Sequence, residues 1–382
     1  MKITSQLAQK IVENTMNVLG KNVNIMDNNG IIIGSGNRKR INDYHEGAAK
    51  VIRTGKTIFV KKSDNNIQGV KPGVNLPIKF SNNIIGVVGI TGDIDEVGGY
   101  GEIVKNMVEL ILQREFLRRE IEVENKAREN FYQQLLTNSV KNKEVLKDRA
   151  KLFKINFKKD RVVMVIKVSP FNNKIVTDQI QTISSFLEMD KDNDMIFMRG
   201  NNIVLIKSFN KKEFKDQCNK IKNIADKLIK KLKQKFDFVK IGIGQIFTRL
   251  EKMQLSYQGA KHALKVGEKV YNKKNKNIFF LDHLGYDYFL PYIDQEAGEY
   301  YLHHVLENDI LEIFENTNFG EIVEALVANN LNITKTAESL YMHRNTLLYK
   351  LDKIKNTTGM NPKDANNIFT LLLAYHLHLY QK

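Results

Sequence analysis

The chain has 382 residues, 42% hydrophobic and 27% charged, which is material for two or three packed cores and not the composition of a disordered chain. Its one cysteine, Cys218, excludes a disulfide framework and a cysteine-rich zinc site, and fits a reducing cytoplasm. The net charge of +16 suggests nucleic acid, but residues 141–280 hold 33 basic and 14 acidic residues while 321–382 hold 7 and 5.

Residues 4–19 carry Leu7, Ile11, Met16 and Leu19 at helical spacing. Strand Val23–Met26, the turn Asp27–Gly30 and a returning run Ile31–Gly34 form a hairpin. A polar loop leads to a short helix over Tyr44–Thr54, then strand Thr57–Val60 and a second hairpin, Leu76–Phe80 with Ile84–Ile90. Strands outnumber helices, which predicts a small PAS- or GAF-like sensor, an antiparallel sheet with helices on one face.

From Tyr100 a long helix is expected. Ile103, Met107, Leu110, Leu117 and Ile121 follow 3–4 spacing, with Arg114 at a core-type position. The stripe suits either the seam of a parallel dimer or an amphipathic helix packed on its own domain.

The middle region begins with helix Glu129–Leu136 and continues as strand Val162–Val168, helix Asp178–Leu187, strands Met195–Met198 and Ile203–Ile206, a lysine-rich helix over 212–235 and strand Val239–Ile243. This β-α-β-β-α-β order is a ferredoxin-like plan, the ground plan of nucleotide cyclases. The lysines, as in Lys230-Lys231-Leu232-Lys233-Gln234-Lys235 and Lys273-Lys274-Asn275-Lys276, alternate with Asn and Ile. A solvated face written by an AT-rich genome accounts for them better than a DNA-binding patch.

The last third is helical, over about 293–316, 320–330, 333–340, 344–357 and 365–380. The run Ile368–Tyr380 is too short for a membrane span and carries His376 and His378. Residues 332–351 have the pattern of a helix-turn-helix. Ala337 is the small residue at a steep crossing, Leu340 and Met342 close the turn, and Leu347, Leu351 and Ile354 face back. The polar remainder is what a recognition helix presents: Arg344 suits guanine and Asn345 adenine. Thr334, Thr336, Tyr349, Lys350 and Lys353 suit phosphates, and Thr346 lies among them. His343 suits a helix cap as well as a base contact. A plain helical hairpin has the same spacing.

The run His343-Arg344-Asn345-Thr346-Leu347-Leu348-Tyr349-Lys350-Leu351 resembles the C-terminal helix-turn-helix of the PucR type. The N-terminal hundred residues resemble the sugar-diacid recognition domain of the carbohydrate diacid regulator family. The carrying stretches are Ile3–Ile11, Asn24–Gly36, His45-Glu46-Gly47-Ala48, Gly69–Pro77 and Ile84–Gly92. The resemblance covers the whole chain. It implies an α+β multidomain protein: a diacid-recognition domain with its connector helix (1–135), a degenerate GGDEF-like domain (136–290) and an all-α helix-turn-helix domain (291–382). It also implies a transcriptional regulator, typically an activator, that answers to glucarate, galactarate or glycerate, with operator DNA as partner and a homodimer as the expected assembly.

A small diacid needs cationic or N–H-rich anchors, and the resemblance points to Arg40, His45, Lys71, Gly73 and Asn75. His45 also suits the cap of its helix, and Pro72-Gly73 a simple turn. Arg38 and Lys39 read as solvated loop charges.

In the middle domain Arg199-Gly200-Asn201-Asn202 stands where a cyclase has Gly-Gly-Asp-Glu, so the carboxylates that hold magnesium are missing from that hairpin. Asp192 and Asp194 lie in what reads equally as a polar turn. No enzyme, cofactor, metal site or membrane partner is expected. The rival readings are a sequence-neutral DNA-binding protein built on the basic middle and, behind it, a cyclase-like enzyme.

Overall fold

The computed structural model describes residues 2–61, 71–137, 139, 142–210, 214–271, 276–305, 314 and 318–382, with backbone alone at 214, 215 and 305. Gly69 and Val70 of the resemblance, Lys273 to Asn275 of the lysine run, residues 212–213 of the lysine-rich helix and 306–313 and 315–316 of the helix expected over 293–316 lie outside them. The chain forms two compact units, Met1–Lys126 and Ala127–Lys382. Among the described residues no helix is long and apolar enough to cross a membrane.

The first unit is a five-stranded antiparallel sheet in the order β2-β1-β5-β4-β3, built from β1 (Val23–Met26), β2 (Ile32–Ser35), β3 (Ile58–Val60), β4 (Gly73–Phe80) and β5 (Asn83–Thr91). Side chains alternate across a strand, so β4 sends Val74, Leu76 and Ile78 to one face and Asn75 to the other. On the first face lie α1 (Ser5–Leu19), through Ala8, Ile11 and Val12, and the start of α3 (Ile94–Leu136), through Val97, Val104, Val108 and Leu112. On the second face α2 (Glu46–Thr54) packs Ala48 and Val51 against Met26, Ile32 and Val87.

The expected one-sided sheet is therefore covered on both sides. The near-continuous apolar run of β5 is the signature of burial on both faces. Helix α3 also begins six residues earlier than expected, because the glycines at 98, 99 and 101 are helical; a Cβ at Gly101 would sit 3.2 Å from Leu76. The helix expected separately over 129–136 is its unbroken end.

Between 100 and 121, α3 has two stripes. Val104, Val108 and Leu112 are buried in the unit's core, whereas Tyr100, Ile103, Leu110, Leu117 and Ile121 are more than half exposed.

The second unit holds a sheet in the order β10-β9-β6-β8-β7, from β6 (Asp160–Ser169), β7 (Met195–Arg199), β8 (Asn202–Phe209), β9 (Phe238–Ile243) and β10 (Ile278–Phe280). Only β10 runs parallel to its neighbour. Helices α5 (Asn173–Phe186) and α6 (Phe214–Leu232) cover one face. The other is covered by the end of α3, by α4 (Lys143–Leu152), which the sequence reading missed, and by α7 (Met253–Lys269). Only Leu146 and Ala150 of α4 are buried, too faint a stripe to find by periodicity.

The rest is helical: a 3-10 segment Gly285–Tyr292, then α8 (Gln295–Val305), α9 (Phe319–Ala328), α10 (Ile333–Ser339), α11 (Arg344–Thr358) and α12 (Ala365–Gln381). Phe319, Ile322, Val323, Leu326, Leu347, Leu351, Ile368 and Leu371 make the core under α10 and α11. The protein is a mixed α+β chain with an all-helical C-terminal part.

Candidate functional site

Helix α10 opens on Asn332, whose side-chain oxygen accepts from the Lys335 N–H at 3.0 Å. It ends in a left-handed cap: the Tyr341 N–H donates to the Glu338 carbonyl (3.1 Å) and the Met342 N–H to the Ala337 carbonyl (3.0 Å), with Tyr341 at φ 53°. Two residues later His343 caps α11, its Nδ1 accepting from the Asn345 N–H at 3.3 Å. Ala337, Leu347, Leu351 and Ile354 are buried, and Leu340 and Met342 pack against them.

At 100° per residue, Asn345, Tyr349 and Lys353 share the face of α11 opposite that buried stripe. All three are exposed, as are Arg344 and Thr346; Lys350 is half-buried at the edge. Thr334 is exposed on the first turn of α10. Thr336 is the exception to the expected phosphate set. It is fully buried and its hydroxyl donates to the Asn332 carbonyl at 2.7 Å, so it reaches no phosphate. His343 is the cap of α11 and is itself exposed.

The same helical part holds a buried charged cluster that sequence reasoning did not detect. His376 of α12, 3% exposed, bonds Asp287 through Nδ1 (2.8 Å) and Glu324 of α9 through Nε2 (3.1 Å). Tyr271 donates to the second Asp287 oxygen, and the Tyr286 ring stacks on the imidazole. Burial pulls the His376 pKa down, but hydrogen bonds to the two carboxylates outweigh it and the pKa is raised. The three members lie 89 and 52 residues apart along the chain, and no local spacing signals them.

The N-terminal candidates gather only in part. His45 is 4% exposed and caps α2, its Nδ1 accepting from the Ala48 N–H at 3.2 Å. Burial, with the nearby Arg40 charge, lowers its pKa to about 4. It is thus a neutral imidazole at pH 7. Asn75, also buried, lies on the same sheet face: a Cβ on Gly47 would stand 3.1 Å from its amide nitrogen and 3.2 Å from the His45 ring. Arg40, His45 and Asn75 therefore converge on the first turn of α2.

Gly73 does not cradle an anion from a loop. It is the first residue of β4, paired with Thr91 and Val60, and a Cβ there would collide with the Ile90 carbonyl. Lys71 is exposed two residues before it. Arg38 pairs with Glu13 at 3.0 Å on the surface, a solvated loop charge as expected.

In the middle sheet, Asn201 and Asn202 stand at the hairpin between β7 and β8. The Asp190–Asp194 loop is a polar turn whose carboxylates are already used. Asp190 pairs with Lys159 at 2.6 Å, and Asp194 with Lys207 while accepting the Ser208 N–H. No group of three or more metal-type ligands stands together among the described residues.

Three family models match in chain order: sugar diacid recognition over residues 3–135, a GGDEF-like domain over 138–266, and the PucR C-terminal helix-turn-helix domain over 320–377. The carbohydrate diacid regulator of Escherichia coli is 27% identical, over 98% of this chain and 96% of its own. An uncharacterised Haemophilus influenzae protein is 29% identical over 98% of this chain and 99% of its own. The proline-responsive transcriptional activator PutR of Bacillus subtilis is 26% identical over 53% of this chain and 50% of its own. With the polar face of α11 standing over a packed helix-turn-helix core, these matches make the chain similar along its whole length to the carbohydrate diacid regulator and mark it as a DNA-binding transcription regulator and not an enzyme.

Proposed function

We propose that the chain activates genes for the use of a sugar diacid or glycerate, as a cytoplasmic homodimer on operator DNA. A small diacid or hydroxy acid of the glucarate, galactarate or glycerate class is its effector. In this reading residues 1–135 are a PAS/GAF-like sensor, 136–290 a ferredoxin-like, degenerate GGDEF domain, and 291–382 the reader of DNA. Arg344 and Asn345 pair with base edges. Thr334, Thr346, Tyr349, Lys350 and Lys353 hold the backbone, and His343 orients the first turn of α11.

The observation that carries the effector site is the convergence of Arg40, His45 and Asn75 on the first turn of α2. A cation, the N–H groups of a helix start and a buried amide are partners for a carboxylate and its neighbouring hydroxyl. Neutral His45 serves there as a hydrogen-bonding group, and Lys71 is a second cation at the rim. A dimer gives the exposed stripe Ile103, Leu110, Leu117 and Ile121 of α3 a partner, with Arg114 as the polar position in the seam. An effector drives the response only through a difference in its affinity for two states of the chain.

Calorimetric titration of the full chain with glucarate, galactarate and glycerate tests the effector. One acid binds, and Arg40→Ala and Asn75→Ala each weaken it; binding of none removes the effector class. Sedimentation of Leu110→Glu tests the seam, with a monomer expected.

A further inference from the structure

We propose that Tyr341 contacts the DNA backbone, its phenol donating to a phosphate beside the bases read by α11. The inference rests on the reading that α11 enters a groove, and adds to it a residue on the turn, outside both helices.

The backbone at Tyr341 is left-handed, at φ 53°, in the cap position where glycine is cheapest. The chain uses glycine for that purpose elsewhere: Gly20, Gly55 and Gly359 end α1, α2 and α11 at φ 64°, 68° and 67°. Of the other non-glycine residues in this conformation, Asn42, Ser81, Asn82, Lys154, Glu188 and Asn330 are polar, and Leu331 packs against the helix-turn-helix core. Among the described residues Tyr341 alone combines a bulky ring, this backbone and 99% exposure. Contacts within the folded chain therefore do not offset the conformational cost of a tyrosine at this point.

Its location supplies a reason outside the chain. Tyr341 stands three residues before Arg344, on the turn that leads into the first turn of α11. When the start of a recognition helix enters the groove, that turn lies over the groove's edge, where phosphates run. A tyrosine hydroxyl is one of the side-chain groups that bond phosphate oxygens. Such a contact positions the protein without reading sequence, so its loss weakens all duplexes alike.

The test uses the full chain and two probes: the duplex it enriches from a random-sequence pool, and an unselected duplex of equal length. Tyr341→Gly is expected to leave the melting temperature unchanged or raised, while affinity for both duplexes drops by the same factor, about tenfold. Tyr341→Phe, which keeps the ring and the backbone, shows the same loss. Arg344→Ala, in contrast, collapses the ratio between the two duplexes. Unchanged affinity in Tyr341→Gly, a lowered melting temperature in it, or full affinity in Tyr341→Phe each overturns the proposal. An unchanged ratio in Arg344→Ala overturns instead the reading of α11 beneath it.

Discussion

Two helices of this chain begin on the same device. His45 caps α2 and His343 caps α11, each with Nδ1 accepting an N–H of the first turn. Their surroundings differ. His45 is buried beside Arg40 and Asn75, and the helix start it caps faces inward; His343 is exposed, and its helix start faces out beside Arg344 and Asn345. One local motif thus serves two surroundings: a helix start packed into a core and a helix start open to solvent. Burial, not residue type, makes the difference.

Acid breaks the comparison most strongly. His45 has a folded pKa of about 4 against an ordinary 6.5, so its contribution to stability is full above pH 6.5 and is lost as pH falls through 4. Up to about 3 kcal/mol of the first unit's stability goes with it. Urea midpoints read by circular dichroism between pH 7 and 4 should fall, and His45→Asn should flatten the fall. His376, whose pKa is raised, works in the other direction. Its contribution is full below pH 6.5 and is lost as pH rises through the raised value, so the second unit weakens toward alkali and His376→Gln removes that slope.

Arg344→Ala comes next. It should cost about 1–3 kcal/mol of binding to a selected duplex in an anisotropy titration and leave the melting temperature in place. Removing the caps themselves sharpens the contrast. His343→Ala should cost about 1 kcal/mol, the ordinary worth of a cap, whereas His45→Ala costs more because it also empties a packed site. The smallest effect is expected from Lys230→Glu with Lys231→Glu: a shallower salt dependence of DNA binding and an unchanged ratio between selected and unselected duplexes. Loss of binding to both duplexes alike would return the basic middle to the role that its charge suggests.

The helix-turn-helix was legible because its determinants lie within twenty consecutive residues, with Ala337, Leu347 and Leu351 at spacings one helix pair can satisfy. Thr336 was misplaced because its bond back to Asn332 is made by the same residue type that reaches phosphate elsewhere. In the first unit, His45 suits an anchor or a cap by sequence, and the burial that makes the capping imidazole neutral is not written in its neighbours. Gly73 suits a loop by sequence because a glycine demanded by the close approach of a paired strand resembles one demanded by a turn. The second layer of α2 was hidden because two-sided burial depends on what covers the sheet. The His376 cluster left no trace, since Asp287 and Glu324 are ordinary carboxylates until the fold brings them together.

That cluster bears on how the DNA-reading part can be moved. Its imidazole and one carboxylate belong to α12 and α9, but the other carboxylate, Asp287, and the phenol of Tyr271 come from chain that precedes both helices. A fragment cut at residue 291 would leave His376 and Glu324 without Asp287. The reader is therefore a poor interchangeable cassette. Grafting it onto another sensor requires carrying the chain from before Tyr271, and recombination in this family should favour joints upstream of that residue.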